Sequence, residues 1–449
     1  IDVRNGYIKT VSNVCVGNGA GRLTPAGGDR VAVGTNAGYQ SQGNNTIAIG
    51  NSAGRNAQNA DAVAVGRGSA FNNQGSSAVA FGTDAGRIDQ GVDSVAVGLR
   101  SGFSNQGSSA VAIGKLAGRL SQNIGAIAVG FQAGSNDQGV YAVAIGLNSG
   151  NSNQGNNSIA IGNSAGRNAQ NADAVAVGRG SAFINQGLSA VAIGTEAGNT
   201  DQGSSAVAIG NLAGRLSQNT GAIAVGFRAG SNDQGDYAVA IGVDTGRTNQ
   251  GNNGIAIGVN SGSSNQGNNT IAIGNNAGLS GQGSDAIAIG RQAGFSNQSD
   301  NTIVINASGA TLNGSAGSSR CYIDPVRDDN TGNELMVYNI SNKEVTRSAN
   351  PTISGTLTQN SDSRLKKDIN TIENGLAKVS EMRGVTYTNI LTNESSVGVI
   401  AQEIEQVLPQ VVREDREGIK SVAYGNIVSV LIEAVKELKK KVEYLESHQ

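Results

Sequence analysis

The sequence has little of what an enzyme core or a nucleic-acid-binding surface needs. Its 449 residues include no tryptophan, one histidine, two cysteines and four prolines, and only 4% are aromatic. The single histidine, His448, is next to last, which excludes a serine–histidine–aspartate triad or a histidine-rich metal site in the body of the chain. Lysine and arginine total 32 against 34 aspartate and glutamate, so a basic footprint for nucleic acid is missing. We therefore expect no metal, no cofactor and no nucleic-acid partner.

Long apolar runs are also absent, and none approaches the ~18 residues that a membrane-spanning helix requires. We therefore expect no membrane insertion. Cys15 and Cys321 follow no metal-binding spacing and are interpreted as two free thiols. The chain begins at Ile1 without a signal-like segment, and we expect it to be a trimmed fragment.

The composition changes sharply along the chain. Residues 361–449 hold 26 of the 66 charged residues but only 5 of the 66 glycines, and residues 1–360 hold the others. No proline occurs between Pro25 and Pro325. This contrast predicts a glycine-rich first part followed by a separate charged domain at 361–449.

A sixteen-residue repeat fills most of the first part. Glycine recurs every sixteen residues from Gly34 to Gly290, alanine stands two positions before each of these glycines, and Val, Ile or Phe flank that alanine. Glutamine recurs with the same period from Gln42 to Gln298. A period kept this strictly indicates one structural unit per turn.

Each unit is predicted to be one coil of a parallel β-roll. β-branched residues at alternate positions favour a short strand, whereas sixteen residues are too few for a pair of helices. Glycines supply the positive φ of tight corners, and the missing prolines leave every N–H free to pair between coils. We predict a β-solenoid of seventeen to eighteen turns over 31–306. Residues 1–30, where 14–17 keep the pattern one residue out of phase, are predicted to be a cap or attachment segment.

Two columns of this repeat carry further predictions. The alanine column admits no polar residue, so both faces of its strand are expected to be buried. One face would fill the coil, and the alanine face would meet neighbouring chains, since small side chains let backbones approach. The glutamine column predicts a stacked amide ladder, the alternative being a solvent-exposed polar column.

Segments such as 44–50, with sequence NNTIAIG, and 109–114, with sequence SAVAIG, resemble the repeats of YadA-type trimeric adhesin heads. The resemblance covers about 31–306 and implies a left-handed parallel β-roll with three chains side by side. The period of sixteen departs from the somewhat shorter repeat usual in that family.

Residues 307–360 are predicted to form a β connector. Within it, 335–339 and 344–346 are typical of a β-hairpin around 341–343.

A long helix reaching about residue 446 is predicted near the C-terminus. Valine and leucine alternate along it at steps of three and four, at Val428, Leu431, Val435, Leu438, Val442 and Leu445. This seam over three heptads predicts a coiled coil that trimerises identical chains. The alternative is one amphipathic helix packed on its own domain.

The charged C-terminal part resembles the self-cleaving intramolecular chaperone domain of phage endosialidase tailspikes and related fibres. The resemblance covers about 361–446 and rests on the opening segment 361–369, the segment 398–409 and the final helix. The family implies a trimeric chaperone that registers three chains, aids folding of the upstream β-structure and then cuts itself away. The overall prediction is a mostly β, trimeric protein with a small α+β C-terminal domain that ends in a coiled coil.

The cleavage motif of that family, Ser-Asp-x-Arg-x-Lys, maps onto Ser361, Asp362, Arg364 and Lys366. The resemblance implies a cut between Asn360 and Ser361, with Ser361 as nucleophile and Lys366 as the general base of a Ser–Lys dyad. A serine hydroxyl needs a base, and a lysine can serve only when burial or nearby cations lower its pKa. Asp362 and Arg364 are expected to have structural roles. The peptidase would cut only itself, once, with no external substrate.

These features predict a structural homotrimeric fibre of a virus or phage, located on the virion surface or tail and assembled in the host cytoplasm. The expected partners are a host-surface receptor or glycan, and other virion proteins at the N-terminus. One alternative is a bacterial trimeric adhesin on the cell surface, but that class needs a membrane-anchoring C-terminal region, and the coiled coil is followed by polar residues 447–449. The other is a glycan-cleaving tailspike, which needs paired carboxylates. Glu196 is the one glutamate in 1–306, and Asp137, Asp201 and Asp233 read as corner residues beside glutamine.

Overall fold

The computed structural model separates the chain into two units, Ile1–Val326 and Arg327–Gln449. The residues that the structure describes are 2–4, 7–9, 13–23, 28–326, 335–338, 345–348, 361–390, 393–414 and 418–448.

The first unit is a parallel β-solenoid with coils of sixteen residues. Most coils contribute two short strands, and each strand pairs in parallel with its copy in the next coil. Val111–Ile113 pairs with Ile127–Val129, and Leu120–Gln122 pairs with Asn136–Gln138. Because paired residues are sixteen apart, like side chains stack in columns. The predicted mostly-β solenoid is confirmed.

We call the two stacks the alanine ladder and the glutamine ladder. The strands of the alanine ladder are Asn13–Val16, Arg30–Val33, Thr46–Ile49, Val63–Val65, Val79–Phe81, Val95–Val97, Val111–Ile113, Ile127–Val129, Val143–Ile145, Ile159–Ile161, Val175–Val177, Val191–Ile193, Val207–Ile209, Ile223–Val225, Val239–Val243, Ile255–Val259, Ile271–Ile273, Ile287–Gly290, Ile303–Asn306 and Cys321–Asp324. The strands of the glutamine ladder are Asn56–Gln58, Asn72–Gln74, Ile88–Gln90, Ser104–Gln106, Leu120–Gln122, Asn136–Gln138, Ser152–Gln154, Asn168–Gln170, Ile184–Gln186, Thr200–Gln202, Leu216–Gln218, Asn232–Gln234, Thr248–Gln250, Ser264–Gln266 and Ser280–Gln282.

The alanine ladder extends past both ends of the strict repeat at 31–306. Asn13 pairs with Arg30, seventeen residues on, and Ile303 pairs with Cys321, eighteen residues on. Strand pairing needs extended backbone only within the strands. The one or two additional residues of these coils therefore lie in the segments that connect the paired strands. Before the solenoid, Asp2–Arg4 pairs antiparallel with Tyr7–Lys9.

The coil interior is filled by alanine and glutamine. Ala112 and Ala128 are fully buried, and Gln122 is buried opposite them, whereas Ile113 and Ile145 point outward with 41% and 39% of their surface exposed. The expectation that the alanine face meets neighbouring chains is therefore wrong. A flat coil that already holds a glutamine has room only for a small side chain from the facing strand, so the β-branched residues lie outside.

The corners depend on left-handed backbone. Gly114 has φ +126°, and a Cβ on it would lie 2.6 Å from the carbonyl oxygen of Gly130 in the next coil, so this column admits only glycine. The residue before each glutamine is also left-handed, as at Asp137 with φ 53°. Asp137 lies in the middle of the strand Asn136–Gln138, so the structure places it at a left-handed residue within a strand and not at a corner.

The described residues of the second unit form three helices: α1 (Gly375–Glu381), α2 (Ala401–Val407) and α3 (Tyr424–Glu446). They also form the 3₁₀ helices Ser363–Leu365 and Pro409–Val411. Three antiparallel strand pairs complete this part: Leu335–Tyr338 with Val345–Ser348, Gly384–Thr388 with Ser395–Val399, and Val412–Glu414 with Lys420–Val422.

The first of these pairs agrees with the predicted hairpin. The second unit has a small core, in which Ile404 of α2 is fully buried against Val411 and Val412. Among the described residues, no helix has the length and apolar character needed to span a membrane.

Candidate functional site

The turn that opens the C-terminal domain places Lys366 against Ser361. Lys366 Nζ donates a hydrogen bond to Ser361 Oγ at 2.7 Å. The residues between them form the 3₁₀ helix Ser363–Leu365, which folds the chain back over a short distance. The structure thus brings together the two side chains that the motif predicts as nucleophile and base.

Asp362 and Arg364 hold this turn in shape. Asp362 Oδ1 accepts a hydrogen bond from the Arg364 backbone N–H at 2.8 Å, which caps the 3₁₀ helix. The Arg364 guanidinium donates to both carboxylate oxygens, from Nε to Oδ1 at 3.1 Å and from Nη2 to Oδ2 at 2.8 Å. The hydrogen bonds from the Arg364 side chain and backbone lower the pKa of Asp362 below its ordinary value. Asp362 and Arg364 thus bond to each other, and the Ser361 hydroxyl bonds to Lys366.

The Ser361–Lys366 pair is positioned but not enclosed. Residues 361–370 are all exposed in the single chain. A lysine accepts the proton of a serine only in its neutral form, which burial favours. Asn360, on the other side of the predicted cut, lies outside the described residues.

A carboxylate at a helix N-terminus joins α3 to α1. Glu437 of α3 accepts hydrogen bonds from the backbone N–H groups of Gly375 and Leu376, at 2.8 and 2.9 Å. N–H groups in the first turn of a helix have no partner within the helix, and the helix dipole also favours negative charge there. The bonds from Leu376 and Gly375 therefore lower the pKa of Glu437 below its ordinary value of 4.5. Gly375 lets the two helices approach, because a Cβ on it would lie 2.7 Å from Ala434 N.

The predicted heptad seam of α3 is uncovered in the single chain. Val430 and Ala434 are buried within the domain, so one stripe of α3 does pack on its own domain, as the alternative interpretation expected. The seam is a second, separate stripe. Between 42% and 64% of each side chain of the seam is exposed, at Val428, Leu431, Val435, Leu438, Val442 and Leu445.

Sequence reasoning missed Glu437 and Gly375 as structural residues of this domain. They lie 62 positions apart, and a glutamate on a charged helix carries no signal that it caps a distant one. A second long-range contact is made by Tyr424, which the sequence suggests as a fold residue or a contact between chains; its hydroxyl accepts a hydrogen bond from the Val399 N–H at 3.1 Å. Among the described residues, no group of three or more His, Cys, Asp and Glu is arranged to hold a metal ion.

The family comparison matches this part of the chain. Residues 361–413 match the family model described as the chaperone of endosialidase. The chain carries a chaperone-of-endosialidase domain. The match begins at Ser361, the first residue of the predicted cleavage motif, and it confirms the resemblance inferred from the sequence.

The chain is also similar to long tail fibre proteins Gp37 of phages. It is 40% identical over 96 residues to Gp37 of Enterobacteria phage K3, covering 19% of this chain and 8% of that protein. For Enterobacteria phage T2 the identity is 40% over 96 residues, with 19% and 7% covered. For Salmonella phage S16 it is 35% over 107 residues, with 20% and 14% covered. The chain thus spans at most 14% of the length of these curated relatives. No solved structure matches the chain significantly.

Proposed function

We propose that the chain is part of a phage tail fibre in which the chaperone-of-endosialidase domain assembles three chains and then releases itself. The observation that carries this proposal is the presence of that domain on the same chain as a long, monotonous solenoid. Similarity to long tail fibre proteins of three phages supports a place in the virion tail. Assembly would take place in the host cytoplasm.

The solenoid needs help with its alignment. Its coils are nearly identical, so a shift of one whole coil between chains replaces each side chain by a similar one and costs few contacts. Until neighbouring coils stack, their strand edges are exposed, which favours aggregation. A domain that joins three chains at one end would fix the register and let the solenoid form from there.

Two exposed apolar stripes support a homotrimer of parallel chains. The outward Val and Ile side chains of the alanine ladder form a half-exposed strip along the solenoid, as at Ile113, Ile145 and Ile193. The heptad seam of α3 is the second stripe. Contiguous apolar surface on a single chain marks an interaction site, and a valine–leucine seam is typical of a coiled coil.

The placement of Ser361 and Lys366 supports the self-cleavage step. Neutral Lys366 takes the Ser361 proton as Ser361 Oγ attacks the Asn360 carbonyl carbon, and the Asn360–Ser361 C–N bond breaks as the Ser361 nitrogen takes a proton. Water then hydrolyses the resulting ester, which gives a carboxylate on Asn360 and restores the serine hydroxyl. Because the pair is exposed in one chain, assembly of three chains would bury Lys366 and switch the reaction on.

Denaturing mass analysis of the expressed chain tests this step. The wild type is expected to yield fragments 1–360 and 361–449, whose masses sum to the intact mass plus one water. Ser361→Ala is expected to stay whole, and Ser363→Ala, an exposed serine of the same turn, is expected to be cut. An intact wild type, or a cleaved Ser361→Ala variant, would contradict the proposal.

With this function we also propose that the chain attaches to a host receptor or glycan, and that its N-terminal part binds other virion proteins. The carboxylates of the described solenoid give no support to the glycan-cleaving alternative. Glu196 is paired with Arg215, with Oε2 and Nε 3.3 Å apart, and Asp137 has left-handed backbone within the strand Asn136–Gln138. The alternative of a bacterial surface adhesin rests on the coil resemblance alone.

A further inference from the structure

Within 31–306, positive charge is confined to one side of the coil, whereas Arg30, just before this range, lies at the opposite edge and donates from Nε to Gly43 O at 2.8 Å. Each coil has two corners, one after the alanine strand and one after the glutamine strand, and these lie at opposite edges. Within 31–306, every lysine and arginine lies one, two or five positions after the column glycine, at the first corner. We call this the basic edge; its cations are Arg55, Arg67, Arg87, Arg100, Lys115, Arg119, Arg167, Arg179, Arg215, Arg228, Arg247 and Arg291.

Negative charge is concentrated on the other side. Three carboxylates of the range, Asp84, Glu196 and Asp244, lie on the basic edge and pair with arginines there. The other carboxylates lie next to the column glutamine or at the second corner. We call this side the acidic edge; its residues are Asp61, Asp89, Asp93, Asp137, Asp173, Asp201, Asp233, Asp236, Asp285 and Asp300. Within the described part of 31–306, no ion pair joins the two edges of one chain.

The two edges are also matched in height along the solenoid. Every coil with a carboxylate on its acidic edge has a cation on its own basic edge or on that of an adjacent coil. Coils 31–46, 143–158 and 255–270 carry neither. Five coils carry both charges on their own two edges: 47–62, 79–94, 159–174, 223–238 and 287–302.

Exposed aromatic residues repeat this match. In coil 127–142, Phe131 on the basic edge and Tyr141 on the acidic edge are 41% and 62% exposed. In coil 223–238, Phe227 and Tyr237 occupy the same two places and are 42% and 64% exposed. Large aromatic side chains left this open on both edges at the same two levels indicate a surface that packs against another.

We propose that the basic edge of one chain binds the acidic edge of the next chain at the same coil level, around the threefold axis of the fibre. This inference rests on the proposed homotrimer and adds which surfaces meet. A ring of three identical chains closes only through contacts between two different surfaces, and the two edges of a flat coil meet that requirement. Opposite charges face each other in this arrangement, whereas like edges would repel.

The edges would also define the register that the solenoid core leaves open. The two aromatic levels are six coils apart, so a shift of one coil separates both Phe–Tyr combinations at once. The charged coils alone leave such a shift open, because a coil with a carboxylate meets a cation on its own level or on an adjacent one, so the two aromatic levels are what define the register. The chaperone domain would start the alignment, and the edges would keep it after the domain has left.

Disulfide cross-linking tests this arrangement. Cys15 and Cys321 are free and exposed, so the test uses a background with both replaced by serine. The double variant Phe131→Cys/Tyr141→Cys is oxidised and run under denaturing conditions, and sedimentation of the same sample before oxidation gives the number of chains. The second double variant is Phe227→Cys/Tyr237→Cys, and the control is Phe131→Cys/Tyr237→Cys, which joins levels six coils apart.

Most of the chain is expected as a covalent three-chain species from both matched variants and none from the control. A sedimenting trimer in which neither matched variant cross-links would overturn the edge contact while the trimer stands. A single sedimenting chain would overturn the homotrimer and this inference with it. Equal cross-linking of the control would show that the edges do not meet at fixed levels and would also overturn the inference.

Discussion

At the residue scale, one glutamine per coil supplies the polar bonding of the interior. Gln122 Nε2 donates to the carbonyl oxygens of Val111 at 2.9 Å and Ala126 at 3.1 Å. Its Oε1 accepts a hydrogen bond from Gln106 Nε2 of the preceding coil at 3.1 Å. The predicted amide ladder thus forms in part, inside the coil, because nine of the sixteen successive glutamine pairs are joined by a side-chain bond. Each glutamine amide also satisfies backbone carbonyl groups of its coil.

Replacing Gln122 by alanine is expected to destabilise the solenoid by about 2–4 kcal/mol, because carbonyl groups lose their donors and a cavity opens. Guanidinium unfolding of the released rod measures the effect. The matched control is Gln132→Ala, which shortens a glutamine at an outer corner and is expected to stay within about 0.5 kcal/mol of wild type. Equal losses in the two variants would show that the buried ladder contributes nothing special.

The repeat predicted these columns but not which face is inside. Side chains alternate on a strand, so alanine and its β-branched neighbours lie on opposite faces whichever face is buried. The choice depends on the space that remains once Gln122 and its copies occupy the interior. That space depends on the closed coil. The sequence of a single strand such as 111–113 therefore does not show which of its faces is buried.

At the scale of elements, α3 combines two functions on different stripes. One stripe, with Val430, Ala434 and Glu437, binds the domain, and the other is the exposed seam. The heptad spacing was enough to predict the seam. The contact with α1 was not predictable, because it joins residues distant in sequence through a close backbone approach at Gly375.

The seam predicts a defect of assembly without a defect of folding. Leu438→Ala, made in the Ser361→Ala background so that the helix stays attached, is expected to cost about 2–5 kcal/mol for each leucine buried in the trimer. Sedimentation velocity should then show fewer trimers at low concentration. Lys440→Ala truncates an exposed side chain of α3 outside the seam and should leave the trimer unchanged. If both variants assemble alike, the seam is not the contact between chains.

The Glu437 contact predicts a pH dependence. Its pKa is lowered in the folded domain, so its contribution to stability is full above the ordinary value of 4.5 and is lost as pH falls through the lower, folded value. Glu437→Gln should lower the unfolding midpoint at neutral pH and flatten the loss in acid, as followed by circular dichroism. Glu446→Gln, at the exposed end of α3, is the control and should retain the wild-type profile. An acid profile unchanged in Glu437→Gln would contradict the role of this carboxylate.

At the scale of the whole molecule, a uniform, glycine-rich solenoid of short strands is combined with a charged C-terminal domain that contains helices. The uniformity makes the solenoid regular and also leaves its register poorly defined. The cleavage motif and the solenoid were both predictable from local sequence at Ser361 and in the sixteen-residue period. The separation of charge onto two edges became visible only once the coil placed its corners on opposite sides. Removal of the domain after assembly would make unfolding hard to reverse, so the product would be kinetically stable.

The most direct test of this account compares the full chain with residues 1–360 expressed alone, and with the uncleaved Ser361→Ala chain as control. Sedimentation and electron microscopy of the soluble fraction measure the yield of three-chain rods. We expect rods from the full chain and from Ser361→Ala, and aggregated or single chains from 1–360. Three-chain rods from 1–360 in the yield of the full chain would contradict the claim that the C-terminal domain aligns the solenoid.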